Sequence, residues 1–419
     1  MGYRFYDDAD FNYRAQVALG GTPAGLGDVG EILTVIASVP SGDDAAWATA
    51  FSDLARRVEA LAESSRTRDR RSAADAYLRA ATYYAAKLEA VQAGSDDAAI
   101  TRAFADHRRC WDAFADLTDP PLERVAIPYS QEGRQLAMPG YFLSHGQRRP
   151  TFIFINGSDG ALTWVWQELL AAYERGFNGL VFDGPGQQSM LFEQGVPFRP
   201  DWEAVITPVV DVLLGRDDVD PAGLVLWGGS QGGFWGARAL AFEHRFAAGF
   251  LDPGVVDVST SWLGHFPPEL VDLLKSGDKK DFDAAMGQAI ASPQLAPVWN
   301  FRARPYGMSS PFDVCRAMME YTVADVAHQI TTPVMIADPE GEQFWPGQSA
   351  ALAKLIGDQA DLEHYTAAEG ADMHCEPMAR SLVHQRMFDW LAGLLPTHAP
   401  GQPAATNTDA GTTSTRGDS

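Results

Sequence analysis

Residues 223–233 read GLVLWGGSQGG, an unalternating apolar run that ends in small residues around a serine. A strand without polar alternation has both faces covered, as in a parallel sheet. The segment that follows, FWGARALAFEH, is helical in composition. Gly228-Gly229-Ser230-Gln231-Gly232 therefore reads as a sharp strand-to-helix turn. Glycines two residues to either side of the serine leave space where a Cβ would collide, and the bend lifts the hydroxyl above the sheet edge. A serine held there is a candidate nucleophile. The backbone N–H of Gln231, at the helix start, is a candidate donor to an oxyanion.

Working outward, further short apolar runs alternate with helix-length segments: TFIFI at 151–155, GLVF at 179–182, 248–251 and PVMIA at 333–337. That rhythm predicts an α/β architecture, a mostly parallel sheet flanked by helices. Residues 124–129 and 134–143 alternate around SQEG and read as a β-hairpin leading into it. Residues 1–118 have a different texture. Apolar residues recur at helical spacing, first as Trp47, Phe51, Leu54, Val58 and Leu61, then as Tyr77, Leu78, Tyr84, Leu88 and Val91. A third stretch carries Ile100, Phe104, Trp111 and Phe114. We expect a helical N-terminal domain over 1–118 that buries its own stripes, and a second domain over 119–395. Within the latter, about 255–330 breaks the strand rhythm and reads as short helices, a lid above the carboxyl ends of the strands. Residues 396–419 contain no large apolar side chain and are expected to be disordered.

An alkoxide-like serine needs a base, and the base needs an orienting acid. His374 lies in AAEGADMHC, a loop between the last strand (361–366) and the terminal helix. By contrast, His364 falls within that strand, His384 within the helix, and His244, His265 and His328 elsewhere. The acid is expected after PVMIA, in DPEGEQFWP. Glu342 stands four residues before a proline, and Asp338 is the alternative nearer the strand end. The loop Asn156-Gly157-Ser158-Asp159-Gly160 after TFIFI offers the N–H of Ser158 as a second oxyanion donor. The turn Asp183-Gly184-Pro185-Gly186-Gln187 reads as structural, closing the loop beside the site. Trp164 and Trp262 are candidate substrate-binding residues, with Trp166, Phe266, Trp299 and Phe301 as further wall candidates.

The formal charge of −23 disfavours nucleic acid and anionic lipid as partners. No apolar run reaches membrane-spanning length. The start, MGYRFYDDADFNYRAQ, has no basic segment followed by an apolar core, so the chain is expected to be soluble and cytoplasmic. Cys110, Cys315 and Cys375 have no metal-ligand or paired spacing, and no nucleotide motif is present, so neither metal nor cofactor is expected.

These motifs together (PGYF at 139–142, NGSDG, FDGPGQ, GGSQGG and EGADMHC) resemble the α/β-hydrolase superfamily. More narrowly, the chain is similar to the branch with 2,6-dihydroxypseudooxynicotine hydrolase, the fungal heptaketide chain-shortening hydrolases and the fermentation–respiration switch protein. The resemblance spans about 45–395. It implies an α/β-hydrolase fold with a helical N-terminal domain and a helical lid, and a Ser-acid-His triad of Ser230, Glu342 or Asp338, and His374. Relatives in the branch usually use Asp, so Glu342 would depart from the pattern. The resemblance further implies N-terminal helices that roof the site and can pair two subunits as a homodimer. It also implies a bulky, partly aromatic small-molecule substrate, cleaved at a C–C bond next to a ketone. Ester hydrolysis, acyl transfer or cyclisation on the same fold, and a non-catalytic binding role are the alternatives.

Overall fold

The structure, a computed structural model, describes residues 3–94 and 96–395; the tail expected to be disordered, 396–419, lies outside the described residues. The chain opens with helices α1 (Ala9–Gly20), α2 (Val29–Ser38), α3 (Asp44–Ser65), α4 (Arg70–Gln92) and α5 (Asp97–Leu117). Each begins on an aspartate (Asp8, Asp28, Asp43, Asp69 and Asp96) whose carboxylate accepts a first-turn N–H. In α3 the expected stripe of Trp47, Phe51, Leu54 and Val58 is buried, but Leu61 is 51% exposed. It sits at the stripe's edge, where the small Ala55 and Ala62 take the inward positions instead. The α4 helix departs further from expectation. It is buried nearly all round, with Tyr83 and a run of alanines joining Tyr77, Leu78, Tyr84 and Leu88, while Val91 is half-buried. An alanine-rich surface lets both α3 and α5 pack closely on α4.

The hairpin β1 (Glu123–Gln131) and β2 (Arg134–Leu143) follows as expected, then β3 (Arg149–Ile155), α6 (Leu162–Tyr173), β4 (Asn178–Phe182), α7 (Gln188–Phe192) and α8 (Glu203–Leu214). Next come β5 (Val219–Gly229), α9 (Gly232–Phe242) and β6 (Ala248–Asp252). The irregular stretch contains α10 (Thr260–Leu263), α11 (Pro268–Ser276), α12 (Lys279–Ile290), α13 (Leu295–Ala303) and α14 (Pro311–Met318). The chain then returns to the sheet with β7 (Val334–Pro339), α15 (Gln348–Ile356), β8 (Ala360–Tyr365) and α16 (Arg380–Ala392). Among the described residues no helix is long and apolar enough to cross a membrane.

The strands form one eight-stranded sheet in the order β1-β2-β4-β3-β5-β6-β7-β8. Pairing is antiparallel through β1, β2 and β4, and parallel from β4 onward. Alternate residues of each apolar run serve opposite faces, which is why the runs do not alternate in polarity. Phe152, Phe154, Val225 and Trp227 pack with α6, α16 and the N-terminal helices. Ile153, Ile155, Leu224 and Leu226 pack with α8, α9 and α15. Because β4 lies on one side of β3 and β5 on the other, the connections leave β3 and β5 in opposite directions. The crevice so formed, outside the carboxyl ends of these two strands, is where such sheets hold their sites.

A buried ion cluster ties this edge to the last helix. The Arg380 guanidinium, at the start of α16, donates to Asp252 Oδ2 at 2.8 Å and to the Cys375 carbonyl at 2.8 Å. It also lies 2.8 Å from Glu168 Oε1 on α6. Asp252 in turn presents its backbone carbonyl to the N–H of Ser230, at 2.7 Å. Burial alone would raise Glu168, but the charges of Arg380 and His384 outweigh it and bring its carboxyl down to about 2. Glu376, buried among the same acids, is pushed well above the carboxylate range by desolvation and by the charge of Asp252.

Replacing Arg380 by Met leaves the buried Asp252 carboxylate without its cation and Glu168 with His384 alone, and should cost about 3–5 kcal/mol in urea unfolding. Glu168 binds its proton more weakly folded than unfolded, so its contribution is full above its ordinary value of 4.5 and is lost as pH falls toward about 2. Unfolding free energy measured across that window should fall less steeply in Glu168→Gln than in the wild type.

Candidate active site

Ser230 stands between β5 and α9 with φ of 56°, in the left-handed region that a serine adopts only under local constraint. The constraint is visible in its flanking glycines. A Cβ on Gly228 would come 2.3 Å from the Gly232 carbonyl, and one on Gly232 would come 2.6 Å from the Ile155 carbonyl. The bend is possible because both lack side chains, and because Asp252 takes the Ser230 N–H.

His374 comes to this serine from a loop far along the chain. Its Nε2 lies 2.9 Å from Ser230 Oγ, and its Nδ1 lies 2.8 Å from Glu342 Oε2. The imidazole is 3% exposed and stands edge-on to Phe344, with Trp345 beyond. Glu342 uses its other oxygen to accept the N–H groups of Phe344 at 2.8 Å and Trp345 at 3.1 Å. Burial opposes its charge, yet the neighbouring imidazole and these N–H groups hold the carboxyl below the ordinary carboxylate range. Gly341 N donates to the Asp372 carbonyl at 2.7 Å, joining the two loops that carry acid and histidine.

Asp338, the alternative acid, is elsewhere engaged. The β7 strand extends two residues past PVMIA, so Asp338 lies within the sheet and pairs with His364 of β8 at 2.7 Å. His384, in α16, meets Glu168 at 2.8 Å.

Facing Ser230 is the loop after β3. A Cβ on Gly157 would lie 2.7 Å from Ser230 Cβ, so this loop runs directly over the candidate nucleophile. Asn156 folds it, donating to the carbonyls of Gly160 and Ala161 and accepting the Gly157 N–H at 2.8 Å. With that N–H engaged, the N–H of Ser158 is the next donor along the loop. Among the described residues no acceptor is bonded to it or to the N–H of Gln231. The turn after β4 serves this loop: Gln187 Nε2 donates to the carbonyls of Asn156 at 2.8 Å and Gly157 at 3.0 Å. Asp183 anchors that turn through Ser189, with an O–H···O bond of 2.6 Å, and through Arg108 of α5.

The wall candidates divide. Trp164 lines a cavity of about 720 Å³ that contains Ser230 and His374. Trp262, Phe266 and Trp299 line an adjoining cavity of about 490 Å³, and Phe301 borders both. Trp166 belongs to neither. It packs edge-on to Phe114 at 4.8 Å and donates to the Ala24 carbonyl, and so helps join α6 to the N-terminal helices.

Sequence reasoning missed the contribution of α1. Tyr13 donates its hydroxyl to the His374 carbonyl at 3.0 Å, and Arg14 enters the larger cavity. The buried stripe of that helix is Phe11, Ala15, Ala18 and Leu19, so Tyr13 and Arg14 stand out only as residues off the stripe. No local pattern says which distant loop they meet.

A scan against protein-family models finds no match. Curated relatives match over nearly the whole chain. Hydrolase acrC of Aspergillus aculeatus is 28% identical over 421 residues, covering 93% of this chain and 97% of its own. The 20-hydroxy-prefusarin hydrolase FUS2 of Gibberella moniliformis is 28% identical, covering 91% and 95%. Among solved structures, 2,6-dihydroxy-pseudo-oxynicotine hydrolase superposes with a TM-score of 0.69 at 20% identity, covering 92% of this chain and 98% of that one. The protein named AbyA5 gives a TM-score of 0.61 at 16% identity, covering 92% and 96%. With the sheet order, the serine at its strand-to-helix bend and these full-length likenesses in hand, the chain has the α/β-hydrolase fold and is similar over nearly its whole length to proteins named as hydrolases.

Proposed function

We propose that the protein is a serine hydrolase working through an acyl-enzyme, with Ser230 as nucleophile, His374 as general base and acid, and Glu342 as the orienting carboxylate. The observation that carries this reading is the unbroken relay from Ser230 Oγ through both imidazole nitrogens to Glu342 Oε2, at 2.9 and 2.8 Å. Hydrogen bonds of that length at both ring nitrogens fix the tautomer that can accept the serine proton. An ionised Glu342 then stabilises the imidazolium.

The chemistry follows from the geometry. Ser230 Oγ attacks a carbonyl carbon while its proton passes to His374 Nε2. The electron pair displaced onto the carbonyl oxygen meets the N–H groups of Gln231 and Ser158, donors with no bonded acceptor among the described residues. Collapse of the adduct breaks the bond to the leaving group, which takes the proton from His374. In the C–C reading, the leaving atom is a carbon whose electron pair is delocalised as an enolate or phenolate-type anion before protonation. Water, deprotonated by the same imidazole, attacks the ester carbonyl, and the acid departs as Ser230 regains its proton.

We favour cleavage next to a ketone, because the 20% identical structural neighbour is named for hydrolysis of a 2,6-dihydroxy-pseudo-oxynicotine and FUS2 for a prefusarin. Hydrolysis of a carboxylic ester uses the same groups and is the second reading. In either case α10 to α14, within 255–330, act as the lid, and the helices of 1–118 form the roof. Asn300 and Arg304 join the two, donating to the carbonyls of Ala93 and Gly94.

A fluorophosphonate should form an adduct on Ser230, located by peptide mass spectrometry, and Ser230→Ala should abolish it while lowering kcat by roughly 10⁴–10⁶. Failure of folded wild-type protein to label would refute the nucleophile. Products from a panel of acyl-ketones and aryl esters decide between C–C and ester cleavage. Glu342→Ala should lower kcat by about 10⁴, whereas Asp338→Ala, which removes a contact to His364 alone, should stay within about threefold of wild type. Comparable losses in both variants would contradict the assignment of the acid.

A further inference from the structure

Two cavities meet at the Ser230 bend, and their linings differ in kind. The larger, about 720 Å³, is walled by Ser230 and His374 together with Tyr13, Arg14, Glu89 and Trp164. Its lining also includes Asp10, Asp44, Asp159 and Arg302, so carboxylates outnumber guanidiniums among these residues. The smaller, about 490 Å³, opens on Gln231 and Ser158 and is walled by Trp262, Phe266, Met286 and Trp299. Its carboxylate and guanidinium, Asp159 and Arg302, are a pair it shares with the larger cavity, facing each other at 3.2 Å, and His265 is its other ionisable lining residue. The apolar surface there contributes no charge for a ligand to meet.

Stereochemistry assigns these cavities. A carbonyl carbon bonded to Ser230 Oγ holds three other substituents: its oxygen, the acyl chain and the leaving atom. The oxygen turns toward Gln231 and Ser158. The leaving atom must come within hydrogen-bond reach of His374 Nε2, which in this reading carries the proton taken from serine. His374 lines the larger cavity and not the smaller one. The acyl chain is left with the path past the oxyanion donors, into the smaller cavity. We propose, building on the serine-hydrolase reading, that the enzyme sorts its substrate: an apolar acyl chain lies in the Trp262 cavity, and a polar, neutral or cationic leaving portion lies in the Arg14–Glu89 cavity. A leaving portion carrying phosphate or carboxylate groups is disfavoured by the excess of carboxylates there. Glu89, raised to about 7 chiefly by burial, both donates and accepts near neutral pH, which suits a hydroxyl on the leaving portion.

The test uses the full chain and the burst of nitrophenolate released when p-nitrophenyl esters acylate Ser230. From acetate to decanoate, the acylation efficiency should rise about fourfold per methylene until the cavity is filled. Ala289→Trp, which narrows the smaller cavity, should lower the decanoate-to-acetate ratio at least tenfold. Leu295→Trp, at a cavity-lining position 48% exposed and so free of core packing, should do the same if Ala289→Trp fails to fold. Neither should alter the ranking of octanoate esters of choline, glycerol and glycerol phosphate, in which the phosphate ester should be slowest. Val17→Trp, in the larger cavity, should change that ranking and spare the acyl-chain slope. Exchange of these effects between the cavities, or both ratios moving together in every variant, overturns the sorting while leaving the triad standing. Absence of both burst and fluorophosphonate adduct in the wild type removes the triad and the sorting together.

Discussion

The structure depends on where Asp252 is held. Its backbone carbonyl accepts the Ser230 N–H at 2.7 Å and the Cys375 thiol at 3.1 Å, so one peptide unit at the end of β6 touches both the serine bend and the histidine loop. Its carboxylate is fully buried and would be intolerable there without the Arg380 guanidinium. That cation also reaches Glu168 on α6 and Glu376 beside the histidine loop, and thereby gathers sheet edge, flanking helix and histidine loop into one electrostatic unit. A buried ion cluster of this sort adds little net stability over an apolar core. Its value lies in fixing geometry, because each partner left alone would be costly.

Much of this arrangement is legible in the sequence because it is local. Strand, bend and helix at 219–242 announce themselves by apolarity, by glycines at fixed offsets and by helical composition, and the steric reasons are satisfied atom by atom in the fold. The placing of His374 and Glu342 was readable from strand order, since each follows the end of a parallel strand. Which of Glu342 and Asp338 meets His374 depends on where β7 stops, and apolarity ends two residues before the backbone pairing does. A strand end is decided by partners across the sheet, here His364 opposite Asp338, and those are invisible locally.

The burial of α4 and the reach of α1 were illegible for a different reason. An alanine-rich helix has weak periodicity whichever way it faces, so only its neighbours decide that it is central. Tyr13 and Arg14 point away from their own stripe and gain meaning only once the fold brings α1 against residues more than 300 positions later, as the Tyr13 bond to His374 shows. The same holds for Arg108 and Asp183, which link α5 to the turn that supports the loop after β3. In each case the N-terminal helices steady a loop of the sheet edge that would otherwise set its own position.

The Tyr13 bond also separates competence from foldedness. The α1 helix is a segment of 12 residues outside the sheet, and a short helix opens locally at a smaller free energy than a central sheet. Its fraying would withdraw the anchor from the His374 carbonyl while the strands and their cores stayed intact. Warmth or mild denaturant would then silence the protein reversibly, as a compact, sheet-containing species that regains its function when the first helix settles back.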